Sequence, residues 1–148
     1  YPVIADTAAV SHTAFVGPDA HVLDSAQVLQ DAHILDRAAV MGKAVVRGRV
    51  KVQDHARVIG NAKVEGDVVL WSCAHISNQA LITGNAIVSG RVGGFAQVGG
   101  RVAVYERALI RGLVRVFGTA RIENSILEGD VTLTSGVFYN THWWRNIP

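Results

Sequence analysis

The chain has a single cysteine, Cys73, so it can form no intrachain disulfide, and cysteine usage leaves the compartment open. Although 49% of its residues are hydrophobic, no apolar run approaches the roughly 18 residues of a membrane-crossing helix. No signal-peptide pattern opens it. Residues 1–36 hold no Lys or Arg against five acids, Asp6, Asp19, Asp24, Asp31 and Asp36. Seven bases then fall between Arg37 and Lys63, and a second run comprises Arg101, Arg107, Arg111, Arg115 and Arg121, for a net charge of only +2. Mapped onto the coil argued below, these bases scatter over faces and corners. They form a belt instead of a groove with interleaved aromatics, which disfavours nucleic-acid binding.

What the chain does have is a period of six. A small or aliphatic residue recurs at Pro2, Ala8, Ala14, Ala20 and so on to Val92, and twelve of these sixteen positions are Ala. Two places after each comes an aliphatic, from Ile4 and Val10 to Ile82 and Val88, failing first at Gly94. Residues two apart on a strand share a face, so Ala-x-Val is a short strand with both side chains inward. Two residues after most of these aliphatics stands a turn former, among them Asp24, Asp36, Gly42, Gly48, Asp54, Gly60 and Asn78, which bends the chain at low cost. Three such repeats close a triangular coil of eighteen residues, and coils stack as parallel strands about 4.8 Å apart. Ala fits the crowded corners while Val and Ile fill the middle. An antiparallel sandwich would need hairpin signals and uneven strand lengths. The fold is therefore expected to be an all-β triangular parallel solenoid of about seven coils over residues 1–134.

The register shifts near 93–96, where Ala96/Val98 follows Val92 after four residues, and again near 126–131. Residues 135–148 break the pattern and carry Phe138, Tyr139, Trp143 and Trp144, read as an aromatic cap over the last open edge. At the other end Ile4 is already in register and the chain starts with Tyr1. That points to a domain excised from a longer protein, or else to a first coil covered by another chain.

Segments such as Val58-Ile-Gly-Asn-Ala-Lys-Val64 and Ile82-Thr-Gly-Asn-Ala-Ile-Val88 resemble the repeats of the hexapeptide-transferase superfamily. The resemblance spans nearly the whole chain and implies a left-handed coil and a trimeric assembly. For the acyltransferases of that superfamily it also implies a His general base at a subunit interface, an extruded acceptor loop and acyl-CoA as donor to a sugar or amino acid. No loop interrupts residues 2–92, and the His residues lie at corners (His12, His55), on outward strand positions (His21, His33, His75) or in the tail (His142). His21 or His75 would be the base if such a site exists. The zinc-binding branch needs three converging His ligands, and His21 and His75, three coils apart, cannot share a metal. Ice binding would need ranks of Thr, and the only Thr-x-Thr is Thr132-Leu133-Thr134.

Outward positions eighteen apart stack. One face carries Leu23, Met41 and Ile59, continuing through Ser77 towards Phe95; an apolar stripe of this kind marks a partner surface, which the resemblance makes the contact of a homo-oligomer, with an attached domain as the other candidate. A second face carries Val69, Trp71, Ile87 and, two coils from Trp71, Tyr105. Spaced aromatics over an apolar floor suit a glycan, because Trp and Tyr join an apolar body to a polar edge. The expected function is a non-catalytic solenoid scaffold or binding module, part of a larger protein, with no cofactor or metal; carbohydrate is the candidate ligand, and the same aromatics could equally extend a subunit interface. The alternative is a hexapeptide-type acyltransferase using acyl-CoA.

Overall fold

A computed structural model describes residues 2–105, 107–139 and 142–145, the last three of these through their backbone alone. They form a parallel β-solenoid with no helix. Two-residue strands alternate with bends, and strands one coil apart pair in parallel to build three sheets of nine, eight and eight strands. The first sheet contains His21–Val22, Ala39–Val40, Arg57–Val58 and His75–Ile76. The second contains Gln27–Val28 and Lys63–Gly66, and the third contains Lys51–Val52 and Val69–Leu70. Pairs such as Arg57↔His75 and Val69↔Ile87 confirm the eighteen-residue coil.

Both inward columns are sealed. From Ala20 to Ile122 every Ala or Val of the first column and every aliphatic of the second is at most 2% exposed. The first coil is different: Ile4, at the end of the described stack, is 42% exposed. Corners carry the bends as expected. Asp24, Asp36, Asp54 and Asn78 all adopt positive φ, a conformation that Asn and Asp tolerate better than other side-chain-bearing residues. The aspartates also tie coil to coil: Asp24 Oδ2 accepts the Gly42 N–H, Asp36 Oδ2 that of Asp54, and Asp54 Oδ2 that of Ser72, at 2.9–3.0 Å.

The solenoid has about eight turns, one more than the sequence pattern predicts, because the tail adds rungs of its own. Val137–Tyr139 pairs with Arg121–Glu123, and His142–Arg145 with Ile126–Gly129. Phe138 packs against the core while Tyr139 is 61% exposed. The side chains of Trp143 and Trp144, assigned to the cap from sequence, lie outside the described residues, as does all of 146–148.

The ladder also moves both register shifts. Val92 pairs with Ile76, not Ala74, so it belongs to the second inward column. The first break is therefore the link between Ile87–Val88 and Arg91–Val92, Ser89 and Gly90 alone, where the preceding coil has the four residues 71–74. Pairing drops from eighteen to sixteen residues in the coil that spans it, as in Leu81↔Gln97 and Ile87↔Ala103. The second break is at Asn124–Ser125, before Ile126–Gly129. One consequence is that Ser77 is followed in its column by Gly93, whose N–H reaches Ile110 O, and not by Phe95. Phe95 stands on a corner, 56% exposed.

Candidate functional site

The residues picked out by sequence fall on two of the three walls. Leu23, Met41 and Ile59 stack in one column of the first sheet, each donating its N–H to the next coil (Leu23 to Val40 O, Met41 to Val58 O, Ile59 to Ile76 O). All three are half-buried. Beside them run His21, Ala39, Arg57 and His75, paired rung to rung, which puts the two histidines three rungs apart. His21 is exposed and His75 half-buried. Burial, then the positive charges of Arg91 and Arg57 on either side, push the His75 imidazole below its ordinary value of 6.5.

On the third sheet Val69 pairs with Ile87, the first half-buried and the second 43% exposed. Trp71 and Tyr105 are two rungs apart with Ser89 between them, through Trp71 N–H to Val88 O and Ser89 N–H to Val104 O. The two aromatics are half-buried, less open than outward strand positions suggest, and Ser89 between them is only 3% exposed. The Trp71 indole N–H is buried without an acceptor among the described residues, so the ring turns its apolar part outward. The Arg121 guanidinium lies 4.9 Å from the Tyr105 ring centroid, a cation–π contact, and the same guanidinium pairs with Glu123 at 3.0 Å.

Sequence reasoning missed what lies next to this row. The short link at Ser89–Gly90 makes one coil recede at the corner between the third and first sheets, while in the coils above and below four residues separate Leu70 from His75 and Val104 from Leu109. The result is a notch of about 480 Å³ walled by Ser72 and Cys73 above, Arg107 and Ala108 below, and Arg91, Leu109 and Ile126 on the first-sheet side. This is within the roughly 300–1,000 Å³ of ligand pockets. Gly90 makes the recess feasible: a Cβ there would stand 2.7 Å from Tyr105 O and 2.8 Å from Ala108 O, so no other residue lets the shortened coil sit so close to its neighbour.

The missing residues also leave a donor without an acceptor. In the two preceding coils, the second corner residue donates its N–H to the next coil's corner carbonyl: Arg37 to Asp54 O at 2.9 Å and His55 to Ser72 O at 2.9 Å. Cys73 occupies that position next, the carbonyl it would reach has been deleted, and its N–H has no backbone acceptor among the described residues. The Cys73 thiol is exposed at the rim. Most nearby arginines are matched along the stack, Arg111 with Glu128, Arg115 with Asp130 and Arg121 with Glu123, whereas Arg91 and Arg107 pair with no carboxylate among the described residues. His21 and His75 are not among the residues lining the notch.

No known family model matches this chain, and no curated protein shows significant sequence similarity to it.

Proposed function

We propose that this chain is a rigid solenoid binding module whose ligand is a glycan, held on the Trp71–Ser89–Tyr105 row. The observation that carries the reading is the pairing of two large aromatics at a fixed two-rung separation on a wall whose every rung is tied to the next. Such a surface is preorganised, so ordering it costs a ligand little. Trp71 offers an apolar ring surface, and Val69 and Ile87 supply the floor beside it, which is what stacking on a sugar ring requires. The likeness to hexapeptide-repeat proteins, with the left-handed coil and trimeric assembly it implies, belongs to this reading and rests on repeats such as those at 58–64 and 82–88. Under it, the Leu23–Met41–Ile59 column is the surface that meets another copy.

The test is retention on an oligosaccharide array. Trp71→Ala should abolish it while leaving the far-ultraviolet spectrum of the coil intact. Retention of the variant at the level of the unaltered protein would remove the row from the site, and no retention by the unaltered protein would reduce the chain to a scaffold.

One observation favours a second reading, acyl transfer from acyl-CoA with His75 as general base. Burial, then the charges of Arg91 and Arg57, lower the His75 pKa from its ordinary 6.5 and so favour the neutral imidazole, the form a base needs. Thiol release from acetyl-CoA in the presence of amino sugars, lost in His75→Ala, would support it; turnover equal to that of buffer alone would dismiss it.

A further inference from the structure

The notch beside the aromatic row is chemically unlike the row itself. Arg91, Arg107 and Cys73 all line it, and the two-residue deletion leaves the Cys73 N–H with no backbone acceptor among the described residues. Of the described carboxylates in neighbouring rows, Asp54 accepts the Ser72 N–H and Glu123 is paired with Arg121, so neither neutralises Arg91 or Arg107. A recess lined by two arginines and by a residue with a spare backbone donor suits an anion, because guanidinium forms paired, charge-assisted hydrogen bonds to carboxylate-like oxygens. The field is positive on the first-sheet side as well, where Arg57 and Arg91 disfavour the protonated form of His75. Trp71 and Tyr105 are the first residues of the two links that bound the notch, so a sugar ring on the row places its substituents at the recess.

We infer that the Ser89–Gly90 notch is an anion subsite that takes the carboxylate of an acidic sugar unit stacked on the Trp71–Tyr105 row. The inference rests on the glycan reading for its sugar, but on the deleted corner and the unmatched arginines for its charge. It gives the shortened coil a purpose that the periodic coils around it do not have. Shortening the corner removes one backbone acceptor and opens a recess, and Gly90 allows the coil to close behind it.

Cys73 supplies the readout, being the sole thiol and lying at the rim. Its rate of reaction with a disulfide reagent is measured with and without uronate and sialyl oligosaccharides, their neutral methyl esters, and inorganic sulfate. For each protein the ratio of the two rates is compared, which cancels any change in intrinsic thiol reactivity. The acidic sugars should slow labelling about tenfold at concentrations where the esters do not, as one to two charge-assisted hydrogen bonds imply. Protection should vanish in Arg91→Gln/Arg107→Gln and near 1 M salt, where the screening length falls to about 3 Å. Array retention of the neutral esters should survive that double substitution. Equal protection by acids and esters, or protection unchanged in the double variant, overturns the anion subsite and leaves the glycan reading standing. Arginine-dependent protection by sulfate with no oligosaccharide binding keeps the anion site and overturns the sugar. Absence of protection by every probe overturns the inference outright.

Discussion

Replacing Gly66 by alanine tests how tightly the corners of adjacent coils are stacked. Gly66 has φ +99°, and a Cβ built on it would stand 2.7 Å from Gly84 O and 3.0 Å from Gly84 N, both backbone atoms of the next coil. Neither neighbour can rotate away, because Asp67 N–H donates to the same Gly84 carbonyl at 2.8 Å. Left-handed backbone costs an L-residue about 1–2 kcal/mol, and forcing extra volume into a packed site about 1–3 kcal/mol. Against these stands the stiffening of the unfolded chain, worth about 0.4–1 kcal/mol. The net is a destabilisation of about 1–4.5 kcal/mol, or roughly 2–18 °C in melting temperature for a chain of this length.

Gly17 provides the control. Its backbone is not left-handed, and the nearest atom to an added Cβ is Ile34 O at an ordinary 3.4 Å. Gly17→Ala should therefore be neutral or gain up to about 1 kcal/mol through the unfolded state. Guanidinium unfolding followed by circular dichroism compares the two variants with the parent, and equal slopes show that the same surface is exposed in each. If Gly66→Ala melts within error of Gly17→Ala, the corners are not in backbone contact and the coil spacing is wrong.

Ala62 is fully buried and Lys63 exposed, so Ala62→Leu should cost about 1–3 kcal/mol by overpacking while Lys63→Leu stays within about 0.5 kcal/mol of the parent; equal losses in chemical melts would reverse the inward–outward assignment. Met41→Glu puts a charge in the middle of the Leu23–Met41–Ile59 column, and sedimentation should show a smaller assembly with the coil spectrum retained; a parent that sediments as a monomer would free that column for a different partner. His75 holds fewer protons folded than unfolded at pH values below its ordinary 6.5, so its contribution is complete above 6.5 and is lost as the pH falls towards its lower folded value. His75→Gln should flatten this part of the stability profile, and an unchanged profile would mean that burial and the flanking arginines do not act on the imidazole.

The stacking, the three sheets and both inward columns were legible in the sequence because a six-residue period leaves no other way to bury Ala and Val together. The breaks were misplaced for a specific reason. The first column accepts Val as well as Ala, at Val50 and Val68 for instance, so Val92 satisfies either column. The four-residue step from Val88 to Val92 therefore looks like a six-residue step from Ala86, and the pattern fails only when Gly94 arrives. At the tail the opposite problem arises: Phe138 takes an inward place held elsewhere by aliphatics, so the rung to which it belongs does not show in the aliphatic pattern. The notch was hidden more deeply, since it consists of residues that are not there. A shortened corner shifts the register after it without marking its own place; it changes the length of one coil relative to its neighbours, and only the pairing of Ile76 with Val92 and Val88 with Val104 reveals which corner receded. The unmatched charges depend on the same displacement. In the list of basic residues Arg107 looks like Arg111, Arg115 and Arg121, but those three have a carboxylate within reach and Arg107 has none among the described residues. Core periodicity is thus a property of each repeat and survives in the sequence, whereas the site is a property of the mismatch between adjacent coils and exists only once they are stacked.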